Sequence, residues 1–164
     1  MQKAKVFNLF LSVMLLFLTK EISAQKVELI GPESSIISNA AIIPEGKKLY
    51  FSSGLTASAL NASLAEGDYA KYGDTKTQAL SILEKFKTSL AEKGLKMADV
   101  FSMRVYLTPD VKTGAYDFDG WNAAYKQYFG TSENPNKPVR ATLGVSALVN
   151  RFKFIEIEIV AAYP

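Results

Sequence analysis

Two runs of alternating residues near the C-terminus, within the stretch from Pro138 to Ile159, constrain the fold most strongly. In the first run, aliphatic side chains alternate with Arg140, Thr142 and small residues. In the second, isoleucines alternate with Glu156 and a second glutamate. Successive side chains of a β-strand point to opposite faces, so a period of two indicates strands with one apolar face. The chain is therefore predicted to end in two strands.

The polar faces of these strands carry candidate chemistry. If both aliphatic faces line one core, Arg140 and Glu156 emerge on the same side of the sheet. A guanidinium is a planar fork that suits a carboxylate, and a glutamate beside it can act on water as a base. The alternative is a solvated sheet face that carries a cross-strand ion pair. The pattern alone leaves both interpretations open.

The rest of the chain is predicted to form three strands, a helix, a fourth strand and a second helix, in that order. Apolar stripes at helical spacing predict one helix with its N-cap at Asp74 and its C-cap at Gly94, and a second helix over 119–129. Residues 56–72 are predicted to form a long loop. Further strands are predicted at 27–30, 40–43, 49–52 and 101–107. This order predicts one α+β domain, with a single mixed sheet of about six strands and both helices on one face.

Two residue types are missing, and their absence excludes several kinds of chemistry. The chain has no cysteine and no histidine. Disulfides, thiol nucleophiles, thiolate metal sites and histidine-ligated zinc are therefore excluded, as is a Ser-His-Asp triad. Acid–base chemistry must use carboxylates, lysine, tyrosine or bound water, and no cofactor or metal is expected.

The first 24 residues have the pattern of a secretory signal. Lys3 and Lys5 precede an apolar run over 6–18, and the small residues of Ile22-Ser23-Ala24 form a cleavage site before Gln25. The run is shorter than the roughly 20 residues that a membrane-spanning helix needs. We therefore expect residues 25–164 to be exported, to the periplasm or the medium, without stable membrane insertion. An uncleaved anchor is the alternative.

Removal of that segment changes the charge balance. Taking Lys3, Lys5, Lys20 and Glu21 from 19 basic and 16 acidic residues leaves 16 and 15. The basic isoelectric point therefore owes much to the signal, and it does not predict a nucleic-acid partner.

The C-terminal motifs resemble those of a known family. Pro-Val-Arg-Ala-Thr at 138–142, followed by Ile-Glu-Ile-Glu at 155–158, is similar to the signature of the RidA (YjgF-type) reactive-intermediate deaminases. Further matching motifs follow the family's order at 50–54, 78–95, 99–107 and 119–129. The resemblance runs from about residue 42 to the C-terminus. It implies a chorismate-mutase-like α+β fold, a homotrimer, and three clefts between neighbouring subunits.

The resemblance also implies roles for five residues. Arg140 would clamp the carboxylate of an imino acid, and Glu156 would position a water molecule. Thr142, Asn122 and Gly54 match further positions that line the cleft.

The implied reaction is hydrolysis of a C=N bond. Water attacks the imine carbon of a 2-imino acid, ammonia leaves, and a 2-oxo acid remains; no cofactor is needed. The alternative is a trimer of the same fold that binds small carboxylates but has lost the chemistry. Retention of Arg140 and Glu156 favours the deaminase. The lack of an aromatic side chain at residues 38–41 and the export signal favour the alternative, and Thr142 stands where deaminating members often carry cysteine.

The signal-peptide prediction has a direct test. N-terminal sequencing of the protein recovered from its native compartment should begin at Gln25. Recovery of an intact Met1 terminus from the cytosolic fraction would contradict export and cleavage.

Overall fold

The computed structural model of the protein describes residues 26–164. The predicted signal segment, residues 1–24, lies outside the described residues, so its cleavage stays a prediction. Among residues 26–164, no helix has the length and hydropathy that crossing a bilayer requires.

The described chain is built from short β-strands and two α-helices, which confirms the predicted α+β class. The strands are β1 Glu28–Ile30, β2 Ala40–Ile42, β3 Leu49–Phe51, β4 Leu55–Thr56, β5 Val100–Leu107, β6 Val139–Gly144 and β7 Ile155–Ala162, and the helices are α1 Thr75–Ala91 and α2 Phe118–Tyr125. One difference from the expected single sheet is that β1 and β2 pair with each other in a separate two-stranded ladder.

Strand β7 is the organising strand of the larger sheet. It pairs antiparallel with β5 on one side and with β3 and then β4 on the other. Strand β6 lies beyond β5, parallel to it, at the edge of the sheet. The short strand β4 is absent from the sequence prediction, which assigned Thr56 to the following loop. It forms because the chain stays beside β7: Ile159 N donates to Ser52 Oγ at 2.9 Å, and Ser52 N donates to Ile159 O at 3.0 Å.

Helix α1 begins and ends where its capping residues predict. The Asp74 carboxylate accepts a hydrogen bond from Thr77 N at 2.8 Å, and the hydrogen bonds from Thr77 lower the pKa of Asp74. Gly94 has φ +72°, and Leu95 N then donates to Leu90 O at 2.9 Å, as in a Schellman motif. The predicted apolar stripe of α1 is buried throughout.

Helix α2 is shorter than the predicted 119–129. It ends at Tyr125, and turns carry the chain on to Phe129, whose N–H still donates to Tyr125 O at 3.1 Å. The predicted apolar face is nevertheless buried as expected, because Trp121, Tyr125 and Phe129 all belong to the hydrophobic core between the helices and the sheet.

The sheet face opposite the helices carries exposed apolar side chains. Phe51 is 70% exposed on β3, and Leu143 is 50% exposed on β6. Between them, Arg104 and Glu158 form an ion pair at 3.6 Å. Exposed apolar side chains on a polar-rimmed face are typical of an interface. We propose that further copies of this chain cover the face, and the family resemblance gives the number as three.

Light scattering on the mature chain should therefore give about three times the monomer mass. Leu143→Glu should shift the protein towards smaller species, because it buries a charge in the proposed interface. Leu60→Glu is the matched control, because Leu60 is 59% exposed in the loop after β4 and belongs to no strand. A wild-type protein that stays a folded monomer at micromolar concentration would contradict the proposal.

Candidate functional site

The pairing register of β5, β6 and β7 decides which way the candidate side chains point. Paired residues on neighbouring strands share a face of the sheet. Arg140 pairs with Met103, and Met103 pairs with Ile159. Met103 and Ile159 are buried in the core beneath the helices. Arg140 therefore points to the helix side of the sheet, and Thr142, two residues on, does the same.

Arg140 lies under α2, held between aromatic rings and an amide. Its Cζ lies 4.5 Å from the centre of the Tyr125 ring and 5.3 Å from that of Trp121. Its Nη2 donates to Asn122 Oδ1 at 2.8 Å, whereas Nη1 is buried and has no hydrogen-bond partner among the described residues. Burial lowers the pKa of Arg140 from its ordinary value. The arrangement is a half-buried guanidinium fixed from one side.

No carboxylate of residues 26–164 forms an ion pair with Arg140. A buried cation without an anion is costly, and stacking on aromatic faces, worth about 2 kcal/mol when desolvated, offsets only part of that cost. The unpartnered Nη1 and the missing anion together make this position suited to an anionic ligand.

Thr142 and Asn122 lie beside Arg140, as the resemblance implies. The Trp121 indole N–H donates to Thr142 Oγ1 at 3.3 Å. Asn122 is placed by α2, which begins where the Asp117 carboxylate accepts a hydrogen bond from Gly120 N at 2.7 Å. These three predicted residues form one group, which we call the arginine group: Arg140, Thr142 and Asn122.

Gly54 and Glu156 form a second group, the glutamate group. A Cβ on Gly54 would lie 1.9 Å from Glu156 Oε1 and 2.8 Å from its Cδ, so the carboxylate rests against the glycine backbone. Glu156 pairs with Thr56 of β4 and with Tyr106 of β5, and it therefore points to the open face of the sheet. Gly54 allows this close approach of the Glu156 side chain, and its φ is not positive.

The prediction that Arg140 and Glu156 emerge on the same side of the sheet is wrong. The aliphatic residues of β7 face the helices, whereas those of β6, such as Leu143, face the open side. Within one chain the arginine and glutamate groups lie on opposite faces, with β5 between their strands. The cross-strand ion pair that was the alternative does exist, but between Arg104 and Glu158.

The sequence prediction missed the aromatic platform of the arginine group. The spacing of Trp121 and Tyr125 is that of a buried helix face, and this pattern predicts only a role in the core. Both are buried, but the Arg140 guanidinium also stacks on their rings. Burial raises the pKa of Tyr125 to about 12, so its hydroxyl stays protonated at neutral pH. The signal available in the sequence is that Asn122, a candidate site residue, lies between them on the same helix.

Neither group is suited to a metal. Within residues 26–164, no cluster of three or more histidine, cysteine, aspartate or glutamate side chains is placed to hold a metal ion.

Residues 38–163 match the family described as endoribonuclease L-PSP. A RutC family protein of Pyrococcus abyssi is 37% identical over 89 residues, which cover 54% of this chain. The match spans 62% of that relative's length.

Solved structures share the fold. A Rid family protein of unknown function from Yersinia pestis, YyfB, superimposes with a TM-score of 0.57 at 23% identity, over 85% of this chain and 100% of that chain. TdcF of Escherichia coli, crystallised with bound serine, gives a TM-score of 0.55 at 23% identity, over 84% of this chain and 99% of that one. At this level of identity, the likeness supports the fold alone.

The contact between Gly54 and Glu156 predicts a specific coupling. Gly54→Ala should displace the Glu156 carboxylate, since the new Cβ would overlap it. The displacement should cost about 1 kcal/mol in the free energy of unfolding, measured in urea at fixed protein concentration. In a Glu156→Ala background the same substitution should cost clearly less, because the overlapping side chain is gone. Equal costs in both backgrounds would mean that the two residues do not touch.

Proposed function

The chain belongs to the endoribonuclease L-PSP family, which includes the Rid and RutC proteins, and we propose that it hydrolyses 2-imino acids to 2-oxo acids and ammonia. The resemblance to the RidA family drawn from the sequence is thus confirmed. The proposed activity goes further than membership, because one fold can carry several activities.

The observation that carries the proposal is the unpartnered Nη1 of Arg140. The guanidinium is fixed by Asn122 and the aromatic rings, and Nη1 is buried within the single chain and has no partner among the described residues. A carboxylate that reaches this guanidinium gains charge-assisted hydrogen bonds. The 2-imino acids carry such a carboxylate next to the reacting carbon, so the clamp holds that carbon at a fixed distance from Arg140.

The reaction needs a second group, and the geometry suggests that another copy of the chain provides it. Arg140 lies at the sheet edge on the helix side, whereas Glu156 faces the open side, where we propose that copies meet. We propose that a cleft between subunits joins the arginine group of one copy to the glutamate group of its neighbour. The reaction then requires the assembled protein, because a single copy does not hold a complete cleft.

In this cleft the chemistry is simple. The Glu156 carboxylate orients a water molecule and takes a proton from it as the oxygen attacks the imine carbon. The C=N bond becomes a C–N single bond, and Glu156 passes the proton it took from water to the nitrogen, which gives a carbinolamine. The hydroxyl of this intermediate then loses its proton to the same carboxylate, which passes it to the amino group, so that ammonia leaves as the C=O bond of the 2-oxo acid forms. Arg140 orients the substrate, and this positioning lowers the barrier to attack. Neither step consumes an oxidant or a cofactor.

The serine bound to TdcF of Escherichia coli supports this class of ligand. Serine has the α-carboxylate and the neighbouring nitrogen-bearing carbon of an imino acid. In that relative, a small amino acid is therefore an acceptable ligand, and the same chemical groups suit the arginine group of this chain.

A non-catalytic carboxylate-binding trimer is the second candidate. One contact favours it: the Thr142 hydroxyl accepts a hydrogen bond from Trp121 and so serves the packing of α2 on β6. Residues 38–41 also lack an aromatic side chain; Ser38 instead donates to Lys137 O. In this case binding survives and turnover does not. In either case we propose that the mature protein acts outside the cytosol, because of its predicted signal segment.

Arg140→Ala should weaken binding of 2-oxobutanoate on the order of 100-fold, because it removes two charge-assisted hydrogen bonds. Arg140→Lys should be nearly as harmful, since a point charge cannot reproduce the fork. Calorimetric titration measures both, and Arg151→Ala, on an exposed loop, is the matched control. If Arg140→Ala binds the acid as tightly as the wild type, the carboxylate clamp is wrong.

Glu156→Gln separates the two candidate functions. It should lower ammonia release from freshly generated 2-iminopropanoate by about 100-fold or more, since an amide is no general base. Affinity for 2-oxobutanoate should stay near the wild-type value, because the ligand carboxylate binds Arg140. Wild-type protein that binds the acid but releases no ammonia above the buffer rate would leave only the binding function.

A further inference from the structure

Tyr116 packs directly on the backbone of β6, next to the arginine group. A Cβ on Gly144 would lie 2.9 Å from Tyr116 Cε1 and 3.1 Å from Cδ1, so the ring covers the position where any other residue would carry a side chain. Gly144 lies two residues beyond Thr142 on β6, and alternation along the strand puts both on the helix side with Arg140. Tyr116 therefore stands at the far end of the strip that begins with the guanidinium.

The strip is the row of helix-side positions on β6 from Arg140 to Gly144. Helix α2 also connects its two ends. Along β6 the strip runs from Arg140 through Thr142 to Gly144. Along α2, Arg140 binds Asn122, which is one helical turn from Phe118. The rings of Phe118 and Tyr116 then meet at 6.2 Å between centroids. The strip thus has a cationic end and an aromatic end, with small polar groups between them.

The aromatic end is exposed, which packing alone does not explain. Tyr116 is 40% exposed and Phe118 is 41% exposed, although both lie beside a buried core. The single hydrogen bond of the Tyr116 hydroxyl, to Val145 O, is long at 3.4 Å. Two neighbouring rings that stay open to solvent form an apolar surface of the kind that binds aromatic or branched alkyl groups.

The spacing fits the same interpretation. At about 3.3 Å per residue, Gly144 lies about 13 Å along β6 from Arg140. A ligand held by its carboxylate at Arg140 and carrying only a methyl group does not reach Tyr116, whereas a benzyl or isobutyl group extends towards it.

We propose that Tyr116, seated on Gly144, is the specificity-determining residue for the substrate side chain, and that this site prefers 2-imino and 2-oxo acids with aromatic or large aliphatic side chains. The proposal rests on the carboxylate clamp of the proposed function. It does not require that the chain be catalytic, since the side-chain preference is a property of binding.

The test compares two ligands on the full mature protein. Calorimetric titration with 2-oxo-3-phenylpropanoate and with pyruvate gives the ratio of their affinities. Wild-type protein should prefer the phenyl acid by about tenfold or more, and Tyr116→Ser should reduce this ratio by about tenfold. Gly144→Ala should also reduce it, because the added Cβ displaces the ring while Tyr116 is retained. Val111→Ser is the control, since Val111 is 48% exposed in the same loop.

Pyruvate provides an internal reference for folding, so a loss confined to the phenyl acid reports on the side-chain subsite. An affinity ratio that Tyr116→Ser leaves unchanged, or a wild-type protein without preference for the phenyl acid, would overturn the proposal. Binding with the expected preference but no ammonia release from either imine would instead refute the deaminase function and leave the subsite in place.

Discussion

The position of the site follows from the register of β7 between β5 and the β3–β4 edge. Isoleucines of β7 and the apolar residues of β5 meet in pairs beneath the helices, and a shift of one residue would turn the whole set to the other face. With this register fixed, Glu156 must point away from the helices. Through β5, the same register sets β6 and turns Arg140 towards α2. The division of the candidate residues into two groups is therefore a consequence of core packing.

Alternation in the sequence predicted β6 and β7 but not which face of β6 meets the helices. The usual inference, that the aliphatic face is the inner one, holds for β7 because the apolar side chains of α1 cover that face. It fails for β6, an edge strand lying under the aromatic rings of α2, where an arginine stacks well. Where helices cover one face of a sheet and another chain covers the other, both faces can carry apolar side chains. A period of two then separates the two faces of a strand but does not determine which of them meets the helices.

Signals that depend on one residue and its neighbours predicted their elements well. The caps of α1 at Asp74 and Gly94 and the buried stripe between them need no tertiary information. Strand β4 is too short for any periodicity, and it exists only because β7 offers it a partner. The packing of Tyr116 on Gly144 could likewise not be predicted from the sequence. The ring that occupies the side-chain position of Gly144 belongs to a residue 28 positions earlier in the chain. Alternation in the sequence indicated Arg140 and Glu156, and the family resemblance indicated all five candidate residues. The contacts between them came only from the fold.

Arg140 also shows why such a site is arranged before its ligand arrives. An arginine that is half-buried without an anion weakens the fold, since desolvation is only partly offset by the rings of Trp121 and Tyr125 and by one amide. The benefit is that the guanidinium does not lose side-chain freedom on binding, so more of the interaction energy contributes to affinity. The open face is also unfavourable in a single chain, because Phe51 and Leu143 are exposed to water, and assembly would bury them. We infer that both costs have one origin: each chain holds half of a cleft whose other half belongs to a second copy.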